Sequence, residues 1–189
     1  MIYFKQPVIF VRHGETEWNL EKRTQGHLNS PLTKLGVSQA QKIATKLSRH
    51  NLDLIVSSPL GRALDTAQIL SRKLNISDIQ IVEALAERHL GILQGRTKEE
   101  SLKLYPHFFG KNNRFIHSSE INQGENLQNF LERVKSAVHE LEKLSQSHKL
   151  LVVTHDGVLH AIVSWVKGLE FDEVQQTYKF DHCDPLALI

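Results

Sequence analysis

An α/β fold with a mostly parallel, doubly wound sheet is what this sequence predicts, and three observations predict it. Val8-Ile9-Phe10-Val11 is a short apolar run that stops abruptly at Arg12-His13-Gly14, as a buried strand does when it delivers polar groups at its carboxyl end. Leu150-Leu151-Val152-Val153 repeats the design and stops at Thr154-His155-Asp156-Gly157. Between them, apolar runs alternate with stretches of helical periodicity, the pattern of parallel strands joined by crossover helices. Ligands of such sheets bind beyond the carboxyl ends of the strands, so both histidines are expected at one sheet edge.

Taken in order, residues 8 to 11 form the first strand, and a long polar loop from Gly14 to Pro31 follows. A loop of that length and richness at a strand end is more often a binding loop than a tether. Thr33 caps the next helix, whose buried face is Val37, Ala40, Ile43, Ala44 and Leu47. Leu52 to Val56 is the second strand. Ser58 then reads as an N-cap with Pro59 at the first helical position. Arg62 lies one turn in, and because helical side chains lean toward the N-terminus its guanidinium can reach back over the strand ends. Ala63, Ala67, Leu70 and Leu74 form the packed side of that helix.

Ile79 to Leu85 is the third strand, and it leads into Glu87-Arg88-His89-Leu90-Gly91. Thr97-Lys98-Glu99-Glu100 is a capping box that opens a short helix ending at Pro106. The irregular stretch from His107 to Gln123 carries Phe108, Phe109, Phe115 and Ile116, which suits a packed cap rather than a linker. Leu127, Phe130, Leu131, Val134, Val138 and Leu141 mark a long amphipathic helix. The fourth strand, Leu150 to Val153, is followed by a buried helix over Val158 to Val166, ended by Gly168. Tyr178 to Phe180 and Leu186 to Ile189 are expected as last strands. The expectation is one domain, residues 1–189, with a cap insertion at about 97–123.

Composition narrows the partners. The chain has 189 residues, 40% of them hydrophobic, ample for one core. Its 23 Lys and Arg nearly balance 21 Asp and Glu, for a net charge of +2, which argues against a nucleic-acid or membrane footprint. The single cysteine, Cys183, suits a reducing compartment. No apolar run is long enough to span a bilayer. Residues 1–7 lack a basic n-region and a small-residue cleavage site, so no signal peptide is read and a cytoplasmic location is expected. Oligomeric state is not readable.

Arg12, His13, Arg62, Glu87 and His155 stand at strand ends or helix starts. Guanidinium stays charged and matches phosphate oxygens with a rigid fork of donors. Two of them from different segments can hold a phosphoryl group and balance its charge during transfer. A neutral imidazole can attack phosphorus and carry the group covalently, and a second imidazole can donate to its oxygens. A carboxylic acid can protonate the leaving alkoxide and then deprotonate the attacking water. Chemistry alone does not say which histidine attacks; His13 is favoured, beside Arg12 and before a glycine that admits close backbone approach. The other histidines, including His27, His107, His117 and His182, read as surface or cap residues. No His-x-x-x-His or Cys-His spacing supports a zinc site.

Here the residues resemble a family. Arg12-His13-Gly14-Glu15-Thr16-Glu17-Trp18-Asn19, with Arg23, Gln25-Gly26 and Pro31-Leu32-Thr33, is similar to the signature of the histidine phosphatase superfamily, which includes phosphoglycerate mutases. Ser57-Ser58-Pro59-Leu60-Gly61-Arg62-Ala63 with Thr66-Ala67, then Glu87-Arg88 with Gly91 and Gln94-Gly95, then Thr154-His155-Asp156-Gly157 resemble its later motifs, in family order. The resemblance implies a three-layer α/β/α sandwich and chemistry with no metal or cofactor. It implies His13 as the phosphorylated nucleophile and Glu87 as the proton donor. Arg12, Arg62 and His155 would line the phosphate pocket, with Asn19, Gln25, Gly26 and Gly157 contributing.

Within the family, cofactor-dependent mutases carry a Tyr where this chain has Leu90, and an Arg pair where it has Lys111-Asn112-Asn113-Arg114; Lys98 and Gln94-Gly95 are mutase-like. Retaining and turning a bisphosphate needs extra cations, so the expected activity is hydrolysis of a small phosphorylated metabolite through phosphohistidine. The alternatives are a cofactor-dependent phosphoglycerate mutase and a non-catalytic phospho-ligand-binding module. Two positions depart from the family: Asp156 stands where many members have Gly, and His160 where phosphatases often have Arg.

Overall fold

A computed structural model describes residues 3–188. Met1, Ile2 and Ile189, the last residue of the expected strand Leu186–Ile189, lie outside it. Strands β1 (Val8–Arg12), β2 (Leu54–Ser57), β3 (Ile79–Ile81), β4 (Leu150–Thr154) and β5 (Pro185–Leu188) form one sheet in the order β3-β2-β4-β1-β5. The first four run parallel, and β5 joins β1 antiparallel at the edge. Among the described residues there are seven α-helices: α1 (Glu17–Leu20), α2 (Lys34–Leu47), α3 (Gly61–Leu74), α4 (Lys98–Leu104), α5 (Leu127–Leu144), α6 (Asp156–Lys167) and α7 (Phe171–Thr177). None of them is long and apolar enough to cross a membrane.

The three layers follow from strand alternation. Successive side chains leave a strand on opposite faces. Ile9, Val11, Ile55, Leu151 and Val153 pack on Ala40, Ile43, Ala44 and Leu47 of α2 and on Ala63, Ala67 and Leu70 of α3. Val8, Phe10, Val56, Leu150 and Val152 pack on Phe130, Val134 and Val138 of α5 and on Val158, Leu159 and Ile162 of α6. Both faces of β4 are therefore buried, which is why its sequence is apolar without alternation. Each such side chain contributes roughly 1.5–3 kcal/mol when fully buried.

This arrangement decides where the polar groups go. β1 and β4 are neighbours in register, with Arg12 opposite Thr154. The His13 N–H donates to the Thr154 carbonyl at 2.9 Å. The two apolar runs thus end at the same height, side by side.

Four local expectations need correction. Helix α3 starts at Gly61 with Leu60 as N-cap and no side-chain cap, so Ser58 and Pro59 precede it. The third strand stops at Ile81, and Glu83–Leu85 is a 3₁₀ turn, because only three residues pair with β2. Tyr178–Phe180 is not a strand; it runs irregularly between α7 and β5, and α7 itself was not expected. The loop after β1 contains a one-turn helix, α1, closed by a capping box between Thr16 and Asn19. Residues 97–123 hold α4 and two 3₁₀ turns, and Phe108, Ile121 and Leu93 form a small separate core with Phe109 and Phe115 against it.

Candidate active site

His13 leaves β1 fully buried. Its Nδ1 lies 2.8 Å from the Gly14 carbonyl. A carbonyl only accepts, so Nδ1 carries the proton and Nε2 keeps a lone pair. The Arg62 Nε donates to that Nε2 at 3.2 Å. Burial first, then the charges of Arg62 and Arg12, hold the His13 pKa well below its ordinary value of 6.5. The ring is therefore neutral at neutral pH. Gly14 is needed for a different reason than expected: a Cβ there would stand 2.7 Å from the Gly36 carbonyl at the start of α2.

Arg62 is the largest fully buried side chain. Its charge is tolerated because the loop after β1 wraps its guanidinium with acceptors: Nη2 donates to the Gly26 carbonyl at 2.8 Å and Nη1 to the Leu28 carbonyl at 2.9 Å. Its backbone N–H donates to Asn29 Oδ1 at 2.9 Å. Burial lowers its pKa to about 10, still cationic at neutral pH. Thr66, one turn on, donates from Oγ1 to the Arg62 carbonyl and accepts from the Gly14 N–H, which locks α3 to the end of β1.

His155 mirrors His13 across the strand pair, with ring centroids 5.3 Å apart. Here it is Nε2 that is engaged, 2.7 Å from Ser58 Oγ. Nδ1 is buried without a partner among the described residues. Burial, then the Arg62 charge, lowers the His155 pKa well below 6.5. Arg12 lies beside it. Its Nη1 donates to the Phe180 carbonyl at 3.0 Å and sits 3.3 Å from Asp156 Oδ1, while its buried Nε has no partner among the described residues. Unpartnered buried donors are costly, of the order of 1–3 kcal/mol each. Arg12 Nε is such a donor, and His155 Nδ1 is a second when the Ser58 hydroxyl donates to Nε2; both stand at one strand edge, where an anion would satisfy them.

Glu87 comes in from the segment after β3. Its Oε1 accepts from the Arg88 N–H at 2.9 Å and its Oε2 from the Gly157 N–H at 3.1 Å. Loss of water around the carboxyl raises its pKa above the usual 4.5, against those two hydrogen bonds and the Arg62 charge. Gly157 makes room for it, since a Cβ there would overlap Glu87 Oε1.

The structure thus brings Arg12, His13, Arg62 and His155 to one edge, with Glu87 at its rim beside Gly157. Gly26 contributes its carbonyl to Arg62. Asn19 and Gln25 are engaged elsewhere: Asn19 Oδ1 accepts from both the N–H and the hydroxyl of Thr16, and Gln25 Nε2 donates to Thr16 Oγ1 at 2.9 Å. Asp156, one of the departures, is directed at Arg12, and its other oxygen lies 3.5 Å from His160 Nδ1.

Three contributors escaped the sequence reading. Ser58 was assigned to a helix cap. His182 was read as a surface residue, yet its Nδ1 lies 2.8 Å from the His13 carbonyl and its ring centroid 5.4 Å from that of His13. Phe180 lends its carbonyl to Arg12. Only the alternative use of a Ser-Ser-Pro motif could have signalled Ser58; nothing local signals the other two.

Comparison with known proteins agrees in one direction. The family pattern described as histidine phosphatase superfamily (branch 1) matches residues 8–185. The phosphoglycerate mutase-like protein 4 of Arabidopsis thaliana is 34% identical over 157 residues, covering 82% of this chain and 68% of that one. Bacillus stearothermophilus YhfR superposes with a TM-score of 0.89 at 30% identity, over 96% of this chain and 90% of that one. A putative alpha-ribazole-5'-P phosphatase from Escherichia coli K-12 superposes with a TM-score of 0.83 at 27% identity, over 96% and 89%.

Proposed function

Because the chain belongs to the histidine phosphatase superfamily, we propose that it is a phosphomonoester hydrolase that works through a phosphohistidine on a small phosphorylated metabolite. The observation that carries this reading is the state of His13. Its Nδ1 proton is pinned to Gly14, and its Nε2 lone pair faces the Arg62 fork inside a cationic cradle. That is an unprotonated nucleophile already placed against the charge that a phosphoryl group needs.

Two steps balance. His13 Nε2 attacks phosphorus in line, the P–O bond to the alcohol breaks, and Glu87 gives its proton to the departing alkoxide. The Nε2–P bond is then broken by water, whose proton returns to the Glu87 carboxylate, and inorganic phosphate leaves. Arg62 shifts its Nε–H from the lone pair to a phosphoryl oxygen as the bond forms. The free Arg12 Nε and His155 Nδ1 supply further donors. The positive charge comes from side chains, so the proposed chemistry uses no metal. The free buried thiol of Cys183 supports a cytoplasmic setting. We take residues 97–123 as a cap over the site.

A second reading, mutase, is favoured by one observation. A groove of about 600 Å³ beside the cap is lined by Lys98, Lys111, Arg114 and Lys179, with Asp172 as its carboxylate. That is more positive charge than the sequence led us to expect, and it suits a substrate with a second anionic group. A single experiment separates the readings. With 3-phosphoglycerate and a bisphosphoglycerate primer, release of inorganic phosphate faster than isomerisation supports hydrolysis, and the reverse supports mutase. Turnover of p-nitrophenyl phosphate in excess EDTA is expected in either case. Tight vanadate binding without turnover of any phosphoester would instead favour a binding module.

A further inference from the structure

We propose that His27 is a positioning residue for Glu87, tying the proton-transfer group to the same loop that cradles Arg62. The proposal rests on the reading of Glu87 as the acid. His27 sits between Gly26 and Leu28, the two residues whose carbonyls take both Nη groups of Arg62. Its side chain reaches the other way. Nε2 lies 2.7 Å from the Glu87 carbonyl, and the His27 N–H donates to Gln94 Oε1 at 2.7 Å. That same Oε1 accepts from the Leu90 N–H at 3.3 Å. The His27 ring packs edge-on against His89, with centroids 4.8 Å apart. One residue therefore makes two hydrogen bonds into the segment 87–94 while its neighbours hold the guanidinium.

The carbonyl of Glu87 can only accept, so His27 Nε2 carries a proton. Burial lowers the His27 pKa, which leaves a neutral ring with that one proton. Arg133 holds the residues just before: it donates to the carbonyls of Ala84 and Ala86 at 2.8 Å each, and it shares the Glu87 carbonyl with His27 through a longer contact of 3.4 Å. Arg133 belongs to α5 and fixes the segment to the core. His27 fixes it to the phosphate-holding loop, and so sets the distance between the acid and the group it must protonate. Loss of the His27 side chain removes the bond to Glu87, while the backbone bond to Gln94 and the carbonyls that hold Arg62 stay in place.

Leaving-group dependence provides the test. In His27→Ala, kcat/KM for an alkyl phosphate, whose alkoxide must be protonated, is expected to fall about tenfold, whereas p-nitrophenyl phosphate, which needs no proton, falls less than about twofold. Vanadate inhibition stays unchanged. His27→Gln, with an amide N–H near the place of Nε2, restores most of the alkyl-phosphate rate. Equal losses on both substrates with weaker vanadate binding, no loss on either, or His27→Gln no better than alanine would each overturn the proposal. Glu87→Gln is run beside them. If it lacks leaving-group dependence, the reading of Glu87 falls and this proposal with it; if it has that dependence and His27→Ala does not, the tie alone is wrong.

Discussion

The ends of β1 and β4 look alike in sequence and are wired in opposite senses. Each is an apolar strand that stops at a histidine, with a glycine directly after His13 and one residue further on after His155. At His13 the backbone captures Nδ1 and Nε2 is turned toward Arg62. At His155 a hydroxyl from Ser58 captures Nε2 and Nδ1 is left open. The partner of one ring nitrogen decides what the other can do. A carbonyl forces its nitrogen to hold the proton, so the far nitrogen of His13 keeps a lone pair, as the proposed attack on phosphorus requires. If the Ser58 hydroxyl donates to Nε2, the far nitrogen of His155 is an N–H donor. Two copies of one local design thus present opposite ring nitrogens, which the proposed mechanism uses for attack at His13 and for stabilisation at His155.

The sharpest way to break this contrast is to remove each ring. His13→Ala should lower turnover of p-nitrophenyl phosphate by about 10⁴-fold or more, with no acid-labile, base-stable phosphoenzyme on quenching. His155→Ala should cost less, about 10²–10³-fold, and still form a phosphoenzyme slowly, as expected for a lost donor to the transferring group. Equal losses, or labelling of His155 in the wild type, would erase the distinction.

Both rings also tie stability to pH. Their pKa values are lower in the folded chain than in the unfolded one. Below the ordinary value of 6.5 the unfolded chain binds protons that the folded chain refuses, so stability is lost as pH falls from there toward the folded values. The slope is at most about 1.4 kcal/mol per pH unit for each ring. Glu87, with a raised folded pKa, works in the opposite direction: its contribution is present at low pH and is lost as pH rises through the folded value. Denaturant unfolding across this range should show the acid loss, to which His27, His117 and His182 also contribute, and His155→Asn should flatten it in part; an unchanged slope would mean that the ring is not held neutral.

Ser58→Ala probes the wiring itself. It leaves the buried Nε2 of His155 without a partner and should cost about 1–3 kcal/mol of stability and up to about tenfold in rate. The smallest effect is expected at Asp156. Its pair with Arg12 is partly exposed and worth about 0.5 kcal/mol. Asp156→Asn frees that arginine, so vanadate should bind about two- to fivefold more tightly; weaker binding would mean that Asp156 orients the fork rather than drawing it away.

Where sequence reasoning succeeded, the signal was local and repeated. β1 and β4 could be read from apolar runs, and parallel pairing then brings His13 and His155 together without further information. Arg62 follows from its place near a helix start. Ser58 was misread because Ser-Pro fits a helix start two residues too early; its real partner lies 97 residues away. Helix α7 was missed because only Phe171 and Val174 are buried in it, too few to show a period. His182 and Phe180 reach the site because β5 joins the edge of the sheet antiparallel, a choice of pairing that leaves no mark in residues 178–183. Gln25 and Asn19, near one another in sequence, turn out to serve the Thr16 turn.

The path of residues 178–183 along β1 has a consequence for assembly. Phe180 and His182 grip Arg12 and His13 from 168 and 169 residues downstream. On the ribosome the two residues that grip this strand end are translated long after it. A nascent chain therefore carries Arg12 and His13 without these contacts until residues 180 and 182 have been added and have folded back.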